Sequence, residues 1–256
     1  MMLAAEKALD PIKQFQVQKW IDLKLGSIDI SFTNASGFML LGIGLVIALF
    51  GTAARRAELV PSRLQSVAEI GFGFIADMVR SSAGEEGLKF FPFVFTLFFF
   101  ILFANLIGMV PYAFTTTSHI VVTGALAATV IVMVVAVGLI KNGLGFFKLF
   151  APSGAPWYIY IILTPIEVIS FLARPLTLAL RLFANMLAGH IMLKLFAGFA
   201  VALVGAGTVY LPIALLAFGM GVALNALEFL VAGLQAYVFA ILTCVYLNDA
   251  LHADHH

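Results

Sequence analysis

Pro175-Leu176-Thr177-Leu178-Ala179-Leu180-Arg181-Leu182-Phe183-Ala184-Asn185-Met186-Leu187-Ala188-Gly189-His190 is a nearly unbroken apolar run with a permanent cation at its middle. The run lies within a longer apolar stretch, residues 155–201, and a second such stretch follows at 208–247. As helices rising about 1.5 Å per residue, stretches of this length reach roughly 60 Å, about twice the hydrocarbon core of a bilayer. They must therefore tilt steeply or break. Pro165, Pro175 and Pro212 permit kinks, while Gly198, Gly205 and Gly207 supply a turn between the stretches. The expected form is a long helical hairpin, strongly oblique to the membrane normal.

Composition agrees with this reading. Of 256 residues, 62% are hydrophobic and 11% charged, with a mean hydropathy of +1.09, whereas soluble domains are roughly half apolar and a quarter charged. The expected fold class is an all-α polytopic membrane protein with about five to six membrane helices at roughly 20 residues per span. A net charge of +1 gives no electrostatic reason for a nucleic-acid partner. The single cysteine, Cys244, has no partner for an internal disulfide and reads as a small apolar helix residue. Near the amino terminus, Lys7, Lys13, Lys19 and Lys24 alternate with Glu6, Asp10 and Asp22, which leaves no apolar signal-peptide core.

Outward from the hairpin, further spans are expected at 37–54, 90–110 and 119–140. An amphipathic segment at 61–80 carries Leu64, Val67, Ile70, Phe74 and Met78 at helical spacing against Arg63, Glu69 and Asp77. Arg55, Arg56 and Arg63 follow the first span, and the positive-inside rule assigns them to the cytoplasm. That places residues 1–36 outside as an extracytoplasmic segment, leaves 37–256 as one membrane domain, and puts Lys141 and Lys148 on the cytoplasmic side with the carboxy terminus.

A cation at the depth of Arg181 costs a few kcal/mol on insertion scales, so such residues generally face a bundle interior or water and mark an ion pathway. The alternative, an arginine snorkelling from a helix end, conflicts with its distance from either end of the run. In an antiparallel hairpin, facing residues have nearly constant summed positions. Arg181 with Gln235, His190 with Glu228 and Glu167 with Asp249 all satisfy one register. Glu167 and Arg181 are about four turns apart and Glu228 and Gln235 about two, so each pair shares a helix face, and Asn185 lies one turn beyond Arg181. Titratable groups spread on both sides of a fixed cation suit a proton pathway. A polar glue between helices, a secondary transporter binding an anion at Arg181, and a purely structural subunit are alternatives, although no internal repeat of the transporter kind is visible. His119, with Thr115 to Ser118, reads as a helix cap at the outer surface. No nucleophile–base pair, phosphate loop, zinc spacing or dinucleotide fingerprint occurs, so neither enzyme chemistry nor a cofactor or metal is expected.

Arg181-Leu182-Phe183-Ala184-Asn185-Met186 with Ala188-Gly189-His190, and later Leu234-Gln235-Ala236-Tyr237-Val238-Phe239, resemble the subunit a family of F-type ATP synthases. Asn105-Leu106-Ile107-Gly108 with Pro111-Tyr112, and Glu167 upstream of Pro175, extend the resemblance over about 61–249. The resemblance implies a non-catalytic, stationary subunit of a rotary motor. Its expected partners are a ring of c-type proteolipids, b-type subunits of a peripheral stalk, and the lipid of an energy-coupling membrane, here a bacterial inner membrane. By motif, Arg181 is the essential arginine, His190 and Glu228 are relay positions of the outer half-channel, Gln235 neighbours the arginine, Asn185 lines the pathway, and Glu167 stands near the cytoplasmic exit. Many bacterial members have an acid where His190 stands and a histidine where Glu228 stands. This chain has the exchanged arrangement, and Ala184 stands where glycine is frequent.

Overall fold

The computed structural model describes residues 15–22, 24–25, 28–29, 31–55, 58, 60–110, 113–143, 145–146 and 157–252. Arg56, Pro111, Tyr112, Lys148, the beginning of the 155–201 stretch and the final histidines lie outside them. Among the described residues six α-helices follow in chain order: α1 (Asn34–Arg55), α2 (Arg63–Gly87), α3 (Phe91–Gly108), α4 (Ile120–Asn142), α5 (Trp157–Ala206) and α6 (Leu211–Leu251). With α2 and α3 counted as one segment, five are long and apolar enough to cross a membrane. The all-α polytopic expectation therefore holds. What composition did not suggest is a pair of minimal antiparallel ladders before α1: β1 (Lys19–Ile21) with β4 (Phe32–Thr33), and β2 (Lys24–Leu25) with β3 (Ile28–Asp29).

Of the alternatives for the hairpin, breaking is excluded, because α5 runs for 50 residues through both Pro165 and Pro175. Neighbouring groups in a packed bundle can re-satisfy the carbonyls that a proline releases. At about 1.5 Å per residue α5 extends some 75 Å, so a bilayer of about 30 Å can hold it only at an oblique angle. Gly198 and Gly205 stay inside α5. The turn itself falls at Gly207, whose φ of 130° is accessible to glycine and strained for other residues.

The carboxy-terminal half of α6 is the centre of the bundle and touches α2, α3, α4 and α5. Ala232, Ala236, Ala240 and Cys244 recur every four residues, all fully buried. A stripe of small side chains lets helix backbones approach closely where lipid supplies no hydrophobic drive for association. The phenylalanines of α3 interlock beside it. Phe99 and Phe95 each lie 4.7 Å from Phe50 of α1, edge to face, an arrangement worth about 0.5–1.5 kcal/mol per pair beyond burial.

The amphipathic segment corrects a simple hydrophobic-inside reading. Leu64, Val67, Ile70 and Phe74 are exposed, whereas Ala68, Ile75, Val79 and Ala83 pack inward. In a membrane the outward face is as apolar as the core, so the smaller side chains take the helix contact. Only Met78 of the expected stripe is buried. The helix also runs past residue 80 to Gly87, with a kink inside it where Gly84 takes φ 69°.

Candidate functional site

Polar residues collect where the end of α3 meets α5 and α6. His190 and Glu228, facing each other across the α5–α6 hairpin, are 7% and 5% exposed. Their side chains bond through His190 Nδ1 and Glu228 Oε1. His190 Nε2 lies 2.8 Å from the carbonyl oxygen of Gly108, at the end of α3. A carbonyl only accepts, so the network assigns a proton to Nε2. One further proton then has two places to reside, on Glu228, which donates to a neutral imidazole, or on Nδ1 of an imidazolium beside a carboxylate. Both arrangements carry the same net charge. The pair can pass a proton internally without creating an isolated charge in a low-dielectric site.

Helix packing makes room for this pair at Gly189. A methyl group there would stand 2.8 Å from Glu228 Oε1 and 2.9 Å from its Cδ, so the neighbour of His190 is small because the facing carboxyl occupies its space. On α3, Asn105 is fully buried and donates to the carbonyl of Ala232 at 3.1 Å. Asn105 Oδ1, Glu228 Oε2 and Gln235 Oε1 are buried and have no hydrogen-bond partner among the described residues. Buried acceptors of this kind are normally satisfied by ordered water. Gln235 lies about two turns beyond Glu228 on the same buried face of α6.

Arg181 occupies the opposite side of α5. Leu178, Leu182, Met186 and His190 form the buried face at four-residue spacing, while Arg181 is exposed. Nine residues at about 100° each separate Arg181 from His190 by half a turn. Among the described residues Arg181 makes no hydrogen bond or ion pair, and none joins it to Gln235. Of the two settings expected for such a cation, a bundle interior or an open face, Arg181 takes the outer surface of the chain and does not face Gln235. Asn185 and Glu167 are half-buried.

The single register also requires correction at its far end. Asp249 accepts from Arg174 Nη1 at 3.4 Å rather than facing Glu167, and the guanidinium of Arg174 lies 5.9 Å from the centre of the Tyr246 ring. A constant register holds only for straight helices rising in step. Arg174, seven residues beyond Glu167 on the same helix, takes the partner that the register gave to Glu167. Nearby, Lys141 bonds Glu86 and Asn142 Nδ2 donates to the carbonyl of Ala250 at 2.7 Å, tying the ends of α2, α4 and α6 together.

His119 does stand at the N-cap position of α4, but its side chain makes no capping bond. Its ring stacks on Phe114 with centroids 4.9 Å apart, and burial pushes its pKa below the ordinary histidine range. Sequence reasoning missed the Gly108 carbonyl and the spatial role of Gly189. The second was visible in principle as the smallest residue beside a candidate relay histidine. A backbone acceptor leaves no trace in residue identity.

Comparison with known proteins covers this whole region. Residues 37–248 match the family model described as ATP synthase A chain. ATP synthase subunit a of Hyphomonas neptunium is 85% identical over 249 residues, spanning 97% of this chain and 98% of that protein. The subunits of the same name from Mesorhizobium japonicum and Maricaulis maris are 54% and 57% identical, over 99% and 96% of this chain and 100% and 98% of their own lengths.

Proposed function

This chain belongs to the ATP synthase A chain family, the proton-translocating membrane component of that complex, and on that premise we propose that it conducts protons through two offset half-channels. They lead to and from the carboxylates of a c-type proteolipid ring, while b-type peripheral-stalk subunits hold the chain stationary in a bacterial inner membrane. The supporting observation is the two-faced character of α5: a buried, hydrogen-bonded acid–imidazole pair on one side and an exposed arginine on the other.

A proton from outside enters at the His190–Glu228 pair and leaves Glu228 by its second oxygen towards Gln235. From there it neutralises a ring carboxylate, which can then turn into lipid. The ring returns each carboxyl to Arg181, whose charge favours the ionised form and releases the proton to the Glu167 side. Asn185, one turn along α5 from Arg181, lines the route to the ring. Arg181 opposes a proton moving directly between the half-channels, since a cation there raises the energy of a second positive charge in low dielectric. Exposure of the guanidinium suits this role, because a ring carboxylate must come and go against it. The electrical drive is about 2.3 kcal/mol per charge per 100 mV, so several protons must be coupled to each ATP.

Arg181→Ala tests the reading in energised vesicles. It should abolish proton-driven ATP synthesis, a loss of more than about a hundredfold or some 2.7 kcal/mol, while the ring still copurifies. Arg181→Lys should also fail, because lysine lacks the planar fork and loses its proton when desolvated. Near-normal synthesis by an assembled alanine variant would refute the assigned role.

A further inference from the structure

Phe15 reaches the relay pair from a segment with no apolar periodicity to announce it. Its ring is 8% exposed and stacks on His190, with centroids 6.3 Å apart and planes inclined by 29°. The three residues that follow are exposed, so within the described residues Phe15 alone of this segment turns inward. Asn34, at the start of α1, holds that connection. Its Oδ1 accepts from the Gln18 amide at 3.1 Å, its Nδ2 donates to the Gln16 carbonyl at 3.2 Å, and its own amide donates to the Gln18 carbonyl at 3.0 Å. Asn34 is itself only 9% exposed. Pairing of β1 with β4 then returns the chain to α1, and Trp20 lies against Gly37 of that helix. Two independent ties thus fix the strap between Phe15 and α1.

We propose that Phe15 is a positioning residue for the His190–Glu228 pair, and that Asn34 acts through it by clamping the strap. The inference rests on the relay reading above. An imidazole bonded at both nitrogens can still rock about the line joining its two partners, and a flat ring stacked on its face restrains that motion. The same ring keeps water from the imidazole face, so His190 exchanges its Nδ1 proton with Glu228 rather than directly with water. Water reaching the imidazole directly would compete with Glu228 for Nδ1 and with Gly108 for Nε2.

Four substitutions in the intact ATP synthase complex distinguish positioning from filling. Phe15→Ala should lower ATP-driven proton pumping several-fold, with ring copurification and detergent-released ATP hydrolysis unchanged. Phe15→Trp, which keeps a flat face, should recover pumping, whereas Phe15→Leu should not, although leucine fills space. Asn34→Ala touches neither member of the pair and should reproduce the loss by releasing the strap. A second readout is carbethoxylation of His190 by diethyl pyrocarbonate, followed by mass spectrometry of its peptide. It should accelerate several-fold in Phe15→Ala and Asn34→Ala but not in Phe15→Trp. Wild-type pumping and wild-type His190 reactivity in both Phe15→Ala and Asn34→Ala would overturn the proposal, as would equal rescue by leucine and tryptophan. Glu228→Ala in the same preparation separates the two levels of inference. Unimpaired pumping there defeats the relay reading itself, while impaired pumping beside a normal Phe15→Ala defeats only the role of Phe15.

Discussion

With His190 Nε2–H donating to the Gly108 carbonyl, the chemistry of Glu228 and Nδ1 cannot be apportioned between the two residues. Removing either partner leaves the other as an unpaired polar group in a site that excludes bulk water, at a cost of about 1–3 kcal/mol. His190→Ala and Glu228→Ala should each slow proton pumping, and the double change should cost less than the sum of the singles. A coupling of about 0.5–3 kcal/mol is expected for residues in one network. The exchanged variant, His190→Glu with Glu228→His, keeps one acid and one imidazole and should pump better than either corresponding single. Side-chain lengths differ, and the histidine at 228 would have no carbonyl placed for it as Gly108 is for His190, so recovery should be partial. A double-mutant cycle on ATP-driven pumping in assembled complexes measures the coupling, and strictly additive losses would show that the pair does not act as one. This pairing was legible in the sequence because both residues are side chains on facing helices with a simple index relation. The Gly108 acceptor was not, since every residue has a carbonyl and only tertiary packing selects one.

At the scale of helices, the approach of α5 to α6 sets the pair as firmly as its chemistry does. Gly189 is where the two helices leave no room for a methyl group beside the Glu228 carboxyl. Gly189→Ala changes no titratable group, so any effect on pumping must come from displacement. Overpacking of this kind typically costs about 1–3 kcal/mol, and the flexible end of Glu228 will yield before the backbone does. Pumping should therefore fall up to about a hundredfold at the upper limit of that cost, with copurification of the ring retained. If Gly189→Ala pumps normally, Glu228 can move aside without losing its function, and the tight fit is immaterial. The helices were readable from apolar length and breaker residues, and the turn from its glycines. Their faces were harder to read. The stripe on α2 points outward because a membrane removes the contrast between core and exterior, and Arg181 lies on the surface although its charge alone would have argued for an enclosed partner. Periodicity reports where apolar residues recur, but in lipid it does not say which side packs.

For the molecule as a whole, two sets of tertiary contacts mark opposite ends of the bundle. Phe15, Asn34, Gly108, His190 and Glu228 meet at one end, while Lys141 with Glu86, Asn142 with Ala250, and Arg174 with Asp249 meet at the other. Arg55 ends α1 and Arg63 begins α2, and the positive-inside rule assigns that junction to the cytoplasm. On that assignment the strap and the His190–Glu228 pair face the outer side, the side from which the proposed route takes its protons. Cys244 is fully buried, so an added cysteine can be labelled against an unreactive native thiol. A membrane-impermeant maleimide applied to intact cells should modify Asp22→Cys, and in inverted vesicles it should modify Ser62→Cys, since both positions are exposed. At least a tenfold preference for the stated side is expected in each case, because a thiol behind the bilayer is reached only through leaks. Labelling with the sides reversed would place His190 and Glu228 at the cytoplasmic end and exchange the entry and exit routes. The helix packing would stand unchanged, because nothing within the bundle depends on which compartment its two ends face.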